Sequence, residues 1–277
     1  MILRSILEVL PRRQISRLTG FFVQARRPRC FASALKHILV KSLRIDMRES
    51  ELPIGAYASF GELFARALRP GARPIGAAPV VAPCDGLVQE AGRIENGQLL
   101  QCKGRHYRLE DLVGEPELAA AFQGGGQVTL YLAPPDYHRV HFPFSGTIEC
   151  SGRIRGDLYP VNRVGLEMDG LFCRNERWWR LVTTPLGRAA VLMVGALNVG
   201  DMRLDGLPPL PAHALAAHRY LLRHSPPVPC AKGDPFGTFN MGSTVILLFS
   251  QEMCQRLNWI VPVGSRRRMG EDLLQGL

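Results

Sequence analysis

The sequence predicts an α+β protein, with N-terminal amphipathic helices followed by a compact, mostly antiparallel β-rich core of barrel or sandwich type. Three observations carry that expectation. Apolar and basic residues alternate at helical spacing over residues 1–50, and a capping box opens a further helix at Ser59. Beyond Pro70 the chain breaks into short β-rich runs punctuated by Gly and Pro.

Residues 1–50 hold eleven Lys or Arg against three acidic residues. Ile2, Leu3, Ile6, Leu7 and Leu10, then Phe31, Leu35, Ile38 and Leu39, recur at helical intervals, and Pro11 and Pro28 divide the stretch into short helices. A helix with one apolar face and arginines opposite can lie in a headgroup layer, its guanidinium groups against anionic phosphates. The same pattern also suits a helical hairpin packed on a core. The expected organisation is a basic, membrane-associating helical region over residues 1–50 and a β-rich domain over 51–277.

Ser59-x-x-Glu62 sets the next helix, and Phe60, Leu63, Phe64, Ala67 and Leu68 give it an apolar stripe that stops at Arg69-Pro70. Arg66, Arg69 and Arg73 flank this helix and its exit; each reads as a solvated surface arginine, with contact to lipid phosphate as the alternative. Strands are expected at 86–91, 127–132, 146–150, 181–184, 189–194 and 243–250. The Pro-rich stretch 208–229 reads as a loop.

At 277 residues, with 46% hydrophobic and 21% charged, the chain can bury a substantial core, which argues against disorder. The net charge of +10 is arginine-weighted and favours anionic partners. Because the basic residues run with apolar stripes and without aromatic stacking platforms, no nucleic-acid role is expected. The seven cysteines form no C-x-x-C pair, so neither a disulfide framework nor a metal site is expected, and a reducing, cytoplasmic setting fits. Arg4, Glu8, Arg12, Arg13 and Arg17 interrupt the N-terminal apolar run, so neither secretion nor a spanning helix is expected.

Three segments combine reactive side chains with turn residues at strand ends: Ala82-Pro83-Cys84-Asp85-Gly86, residues 135–143 with His138 and His141, and residues 239–244 with Gly242 and Ser243. An Asp, a His and a Ser are what nucleophilic catalysis needs, since a hydroxyl is unreactive at neutral pH until imidazole takes its proton. Each also has a plainer reading. Asp85 suits a turn aspartate bonding its own backbone, His138 and His141 suit structural roles, and Gly242-Ser243 suits a strand-entry turn.

Taken together, these segments resemble the phosphatidylserine decarboxylases. The likeness runs from about Arg17 to Phe249 through the Pro-x-Asp-Gly segment, Tyr-Leu-x-Pro-x-Asp-Tyr-His-Arg-Val-His at 131–141, Gly156-Asp157-Leu158 with Val161-Asn162, Arg174-Asn175-Glu176-Arg177, and Gly242-Ser243-Thr244 before an apolar strand. Where Leu commonly precedes Gly-Ser-Thr in that family, this chain has Met241, apolar and of similar volume. The resemblance implies a proenzyme that cleaves itself between Gly242 and Ser243, giving a β-chain of 1–242 and an α-chain of 243–277 that begins with a pyruvoyl group derived from Ser243. It maps the self-cleavage triad onto Asp85, His141 and Ser243, with Asp85 orienting His141, and gives His138 a role in decarboxylation. It further implies conversion of phosphatidylserine to phosphatidylethanolamine, a homodimer of αβ units, and a peripheral place on the cytoplasmic side of the cell membrane, held by its anionic surface. The main alternative is a serine hydrolase using Asp85, His141 and Ser243 without self-cleavage, although no G-x-S-x-G elbow is present. A non-catalytic membrane-binding module is a second. A pyridoxal phosphate enzyme would need a Schiff-base lysine, for which Lys232 is the candidate.

Overall fold

Thr-Val-Ile-Leu-Leu-Phe at 244–249 is an unbroken apolar run, as expected of a strand covered on both faces, and it lies inside the main sheet. The computed structural model describes residues 12–102, 105–161, 165–197, 202–239 and 244–277. Gly242, Ser243 and the first apolar stripe, Ile2 to Leu10, lie outside the described residues.

Eleven strands concern the site. They are β1 (Gly86–Arg93), β2 (Gly126–Tyr131), β3 (Arg139–His141), β4 (Gly146–Ile154), β5 (Arg177–Thr184), β6 (Gly187–Val194), β7 (Met202–Leu204), β8 (Arg219–Cys230), β9 (Pro235–Phe239), β10 (Thr244–Phe249) and β11 (Arg266–Arg267). Eight form one sheet in the order β8-β4-β5-β6-β10-β2-β1-β11, and β7-β9-β3 form a smaller one. Pairing within both is antiparallel. The expected antiparallel core is present, but its sheets are open and do not close into a barrel. In β10, Thr244 pairs with Tyr131 on one side and Val194 on the other, so the first residue of the strand is already inside the sheet.

The Pro-rich stretch is a correction to the sequence reading. It carries a short helix, Ala212–Ala216, and the edge strand β8 in place of a loop. An edge strand tolerates Pro because one row of its backbone groups needs no ladder partner. Here the register shifts between Arg223 and Val228, which lets Pro226 and Pro227 sit in a bulge.

Two N-terminal helices, α1 (Arg12–Val23) and α2 (Arg29–Ser42), precede α3 (Phe60–Phe64). Val23, Ile45, Tyr57, Phe60, Leu63 and Phe64 form a small apolar cluster separate from the main core. Buried Lys36 fastens α2 to the segment after it through the Ile54 and Tyr57 carbonyls. Leu18, Phe21, Phe22, Phe31 and Ile38 stay exposed. No described helix is long and apolar enough to cross a membrane.

The Ser59 half of the capping box forms, while the Glu62 side chain turns to the N–H one residue before the cap in place of the Ser59 N–H. The Glu62 N–H donates to Ser59 Oγ at 3.2 Å, and the Glu62 carboxylate accepts from the Ala58 N–H at 2.9 Å. The helix is shorter than its stripe, ending at Phe64, and its end is tied to the segment of the two histidines by Arg139 Nε donating to the Ala65 carbonyl at 2.9 Å. Replacing Ser59 with Ala should therefore cost about 1 kcal/mol of stability, read as a lower urea midpoint with an unchanged slope; an unmoved midpoint would mean the cap does not hold α3.

Candidate active site

The segment around β3 is held on both sides. On one, β3 pairs with β9, and the Phe239 N–H donates to the His138 carbonyl at 3.1 Å. On the other, the His141 N–H donates to the Pro83 carbonyl at 2.8 Å and the Val81 N–H to the Pro143 carbonyl at 2.9 Å. The segment before Asp85 and the segment of the two histidines thus lie side by side. Gly86 lets the turn press against β2, where a Cβ would stand 2.8 Å from the Tyr131 carbonyl oxygen.

His138 is fully buried, its ring 4.0 Å centroid to centroid from that of Phe64. Its Nδ1–H donates to the Asp136 carbonyl at 2.9 Å, which leaves Nε2 as a bare acceptor. That Nε2 has no hydrogen-bond partner among the described residues. Burial, assisted by the positive charge of Arg66, pushes the imidazole down to about 3, so at neutral pH it is an uncharged base.

His141 is bonded at both ring nitrogens. Nδ1–H donates to the Gly233 carbonyl at 2.8 Å, and Nε2 accepts from the Tyr137 hydroxyl at 3.0 Å. Burial lowers this histidine too, and raises the Tyr137 phenol to about 12.

Asp85 does not orient His141 by a direct hydrogen bond. Its carboxylate accepts two bonds from Arg73, at 2.9 and 2.6 Å, and one from the Met269 N–H at 2.8 Å. The Asp85 and Arg73 side chains are only 11% and 7% exposed, and Arg73 also holds Glu49 at 2.8 Å. Removing one partner of such a buried pair typically costs roughly 3–5 kcal/mol. Asp85 therefore reaches both imidazoles through its charge, which raises the proton affinity of each. The tautomer of His141 comes instead from the Gly233 carbonyl, a backbone acceptor with no side-chain signature.

Ser243 lies outside the described residues, but its covalent neighbour Thr244 does not. Thr244 is fully buried, and its Oγ1, like His138 Nε2, lacks a partner among them. Phe239, next to the His138 carbonyl, and Thr244, at the mouth of β10, are the described ends between which residues 240–243 run.

Of the arginines expected at the solvated surface, Arg66 is buried, Arg73 is half-buried with its side chain covered, and Arg69 is exposed as expected. Arg73 holds Asp85, and Arg66 is 3% exposed. The signal for Arg66 was its spacing, three residues after Leu63 on the apolar stripe; the loop position of Arg73 carried none. Lys232 donates from Nζ to the Gly76 and Ala78 carbonyls at 2.8 and 2.7 Å, so it acts as a loop tether.

A sequence model described as phosphatidylserine decarboxylase matches residues 60–275. The phosphatidylserine decarboxylase proenzyme of Anaeromyxobacter sp. (strain K) is 43% identical over 277 residues, covering 97% of this chain and 96% of its own. Those of Pseudomonas entomophila (strain L48) and Stutzerimonas stutzeri (strain A1501) are each 39% identical, covering 96% of this chain and 94% and 92% of theirs.

The depressed His138 has a signed consequence. Between its ordinary value of 6.5 and about 3, the unfolded chain binds a proton that the folded chain refuses. Its contribution is complete above about pH 6.5 and is lost as pH falls towards 3, by up to an order of 3–5 kcal/mol. Urea midpoints from pH 7 to 4 should fall less steeply for His138→Gln than for the unsubstituted chain; equal slopes would show that His138 titrates normally.

Proposed function

The chain belongs to the phosphatidylserine decarboxylase family, and we propose that it converts phosphatidylserine to phosphatidylethanolamine with a pyruvoyl group made from its own Ser243. The observation that carries this reading is a buried, uncharged His138 whose Nε2 is unpartnered among the described residues, on the segment bonded to Phe239 just before the Gly242–Ser243 bond. The pyruvoyl group fits these residues. Thr244 Oγ1 and His138 Nε2 are buried polar atoms without described partners, and a carbonyl group at residue 243 would be bonded directly to Thr244.

Maturation begins when His141, uncharged because it is buried, takes the Ser243 hydroxyl proton and the oxygen attacks the Gly242 carbonyl, turning the amide into an ester. Loss of the α-proton of residue 243 expels the Gly242 carboxylate and leaves dehydroalanine. Tautomerisation and addition of water then release ammonia and leave pyruvoyl. Asp85 supports His141 with its charge, and Gly233 fixes which nitrogen carries the hydrogen. Tyr137 bonds the other nitrogen and must give it up, or pass the proton on, for the base to act.

Once formed, the pyruvoyl carbonyl supplies an electron sink for the carbon that loses carbon dioxide, the role pyridoxal phosphate serves elsewhere. His138 Nε2 takes up the proton that the substrate ammonium must lose before its nitrogen reacts, and then delivers it to that carbon. The water-poor surroundings made by Phe64 keep the base uncharged and restrict competing proton sources.

The substrate stays in a bilayer, so the enzyme works peripherally at an anionic membrane surface on the cytoplasmic side, and α1 and α2 are the elements suited to it. Leu18, Phe21, Phe22, Phe31 and Ile38 are exposed apolar groups on a basic segment. The helical region 1–50, the domain 51–277 with its β- and α-chains, and the homodimer of αβ units complete the reading. In vesicle sedimentation, changing Phe21 and Ile38 together to Ser should cut retention on anionic vesicles by about tenfold or more; undiminished retention would put the contact elsewhere.

Three variants separate the roles. Ser243→Ala and His141→Ala should remain unbroken chains, whereas His138→Ala should break into 1–242 and 243–277 yet lose at least about 10²-fold in kcat. An active chain that never breaks would favour the serine hydrolase reading. A fully active His138→Ala would take the protonation step away from that residue.

A further inference from the structure

Among the described residues, eight buried side-chain polar atoms lack hydrogen-bond partners, and two are Arg66 Nε and Nη1. The only hydrogen bond of this guanidinium to the described residues runs from Nη2 to the Pro135 carbonyl at 3.4 Å, at the long end of the useful range. No ion pair joins Arg66 to a described carboxylate. The carboxylates whose charges reach it, Asp85 and Asp46, are bonded elsewhere, Asp85 to Arg73 and the Met269 N–H and Asp46 to Arg48. A buried charge without a counter-ion is strongly unfavourable, and burial already works against the charged form here. Arg177, equally buried elsewhere in the fold, shows the contrast, with four bonds to the Leu112, Cys173, Asn175 and Asp111 carbonyls.

Arg66 lies against the reacting end of the molecule. It follows Phe64, whose ring covers His138, by two residues, and Pro135 belongs to the same turn as His138. Its charge is felt by both His138 and Tyr137. The missing counter-ion is therefore an anion that arrives beside His138.

We propose that Arg66 is the anchor for the phosphodiester of the lipid headgroup, its Nε and Nη1 donors supplying charge-assisted hydrogen bonds to phosphate oxygens; this rests on phosphatidylserine being the substrate. The headgroup carries two anions, and chemistry separates them. The carboxylate must give up its electrons as carbon dioxide leaves, so a guanidinium held on it would stabilise the ground state and slow the step. The phosphodiester keeps its charge from substrate to product, and its short tether to the reacting carbon places it where an anchor fixes that carbon against His138. Arg66 is thus a substrate-binding residue whose loss weakens binding more than turnover.

The test uses the matured enzyme and short-chain phosphatidylserine, with O-phosphoethanolamine and ethanolamine as competitors that differ only in the phosphate. The unsubstituted enzyme should bind O-phosphoethanolamine about 10- to 100-fold more tightly than ethanolamine, and Arg66→Gln should erase that preference while raising KM more than it lowers kcat. A merely structural role would weaken both competitors alike and leave the preference standing, which would overturn the proposal. If Arg66→Gln fails to fold, Arg66→Lys carries the test: a reduced preference supports the anchor, and an unchanged one overturns it. A preference for O-phosphoserine over O-phosphoethanolamine that vanishes with Arg66 would assign the residue to the carboxylate and also overturn it. No turnover by the unsubstituted enzyme would instead defeat the substrate reading, an outcome distinct from a failure of Arg66.

Discussion

Burial of the His138 imidazole beneath Phe64 is the constraint on which the rest of the site depends. An imidazole in water is half protonated near neutrality, whereas this one is uncharged well into acid. Keeping it so requires a lid, and α3 supplies one, anchored by the Ser59 cap, by the Ala65 carbonyl on Arg139 and by Arg66 on Pro135. It also requires a stiff turn, provided by the Asp136 side chain accepting from the Ala133 N–H and by its ion pair to Arg266. Desolvation, and not a carboxylate relay, sets the protonation state of both histidines.

The Asp85–Arg73 pair links that centre to distant parts of the chain. Arg73 reaches Glu49, and Glu49 reaches Arg268, so a segment near the N-terminal helices, the turn of Asp85 and a segment near the C-terminus share one charged network. If residues 243–277 are separated from the rest by cleavage, Arg268 and Met269 belong to the smaller chain, and their bonds to Glu49 and Asp85 are among those that hold the two chains together. Backbone pairing of β10 with β2 and β6 does the same in the core.

Much of this was legible in the sequence because it rests on local periodicity or local turn chemistry. The apolar run of β10, the capping box and the runs that became β1, β2, β4, β5 and β6 are signals of that kind. The Pro-rich strand β8 was not, since proline forbids a central strand but is tolerated at an open edge, and only the assembled sheet shows which strand is the edge. The site follows the same division. Asp85, His138 and His141 sit in recognisable turns, while the Gly233 carbonyl, the Tyr137 hydroxyl and the guanidinium groups of Arg66 and Arg73 gain their roles only from long-range contact. Length and charge make arginine look solvated wherever it stands in a sequence, and burial alone distinguishes those, Arg66 and Arg177 among them, that are not.

The central claim is that residue 243 ceases to be a serine and becomes a ketone at a new N-terminus. Intact-mass measurement of the purified active protein, before and after hydroxylamine, tests it most directly. The expected result is two fragments, residues 1–242 and residues 243–277, with only the smaller one gaining the mass of an oxime. An active protein of one unbroken chain, or a smaller fragment that begins with an unaltered serine and ignores hydroxylamine, would contradict it.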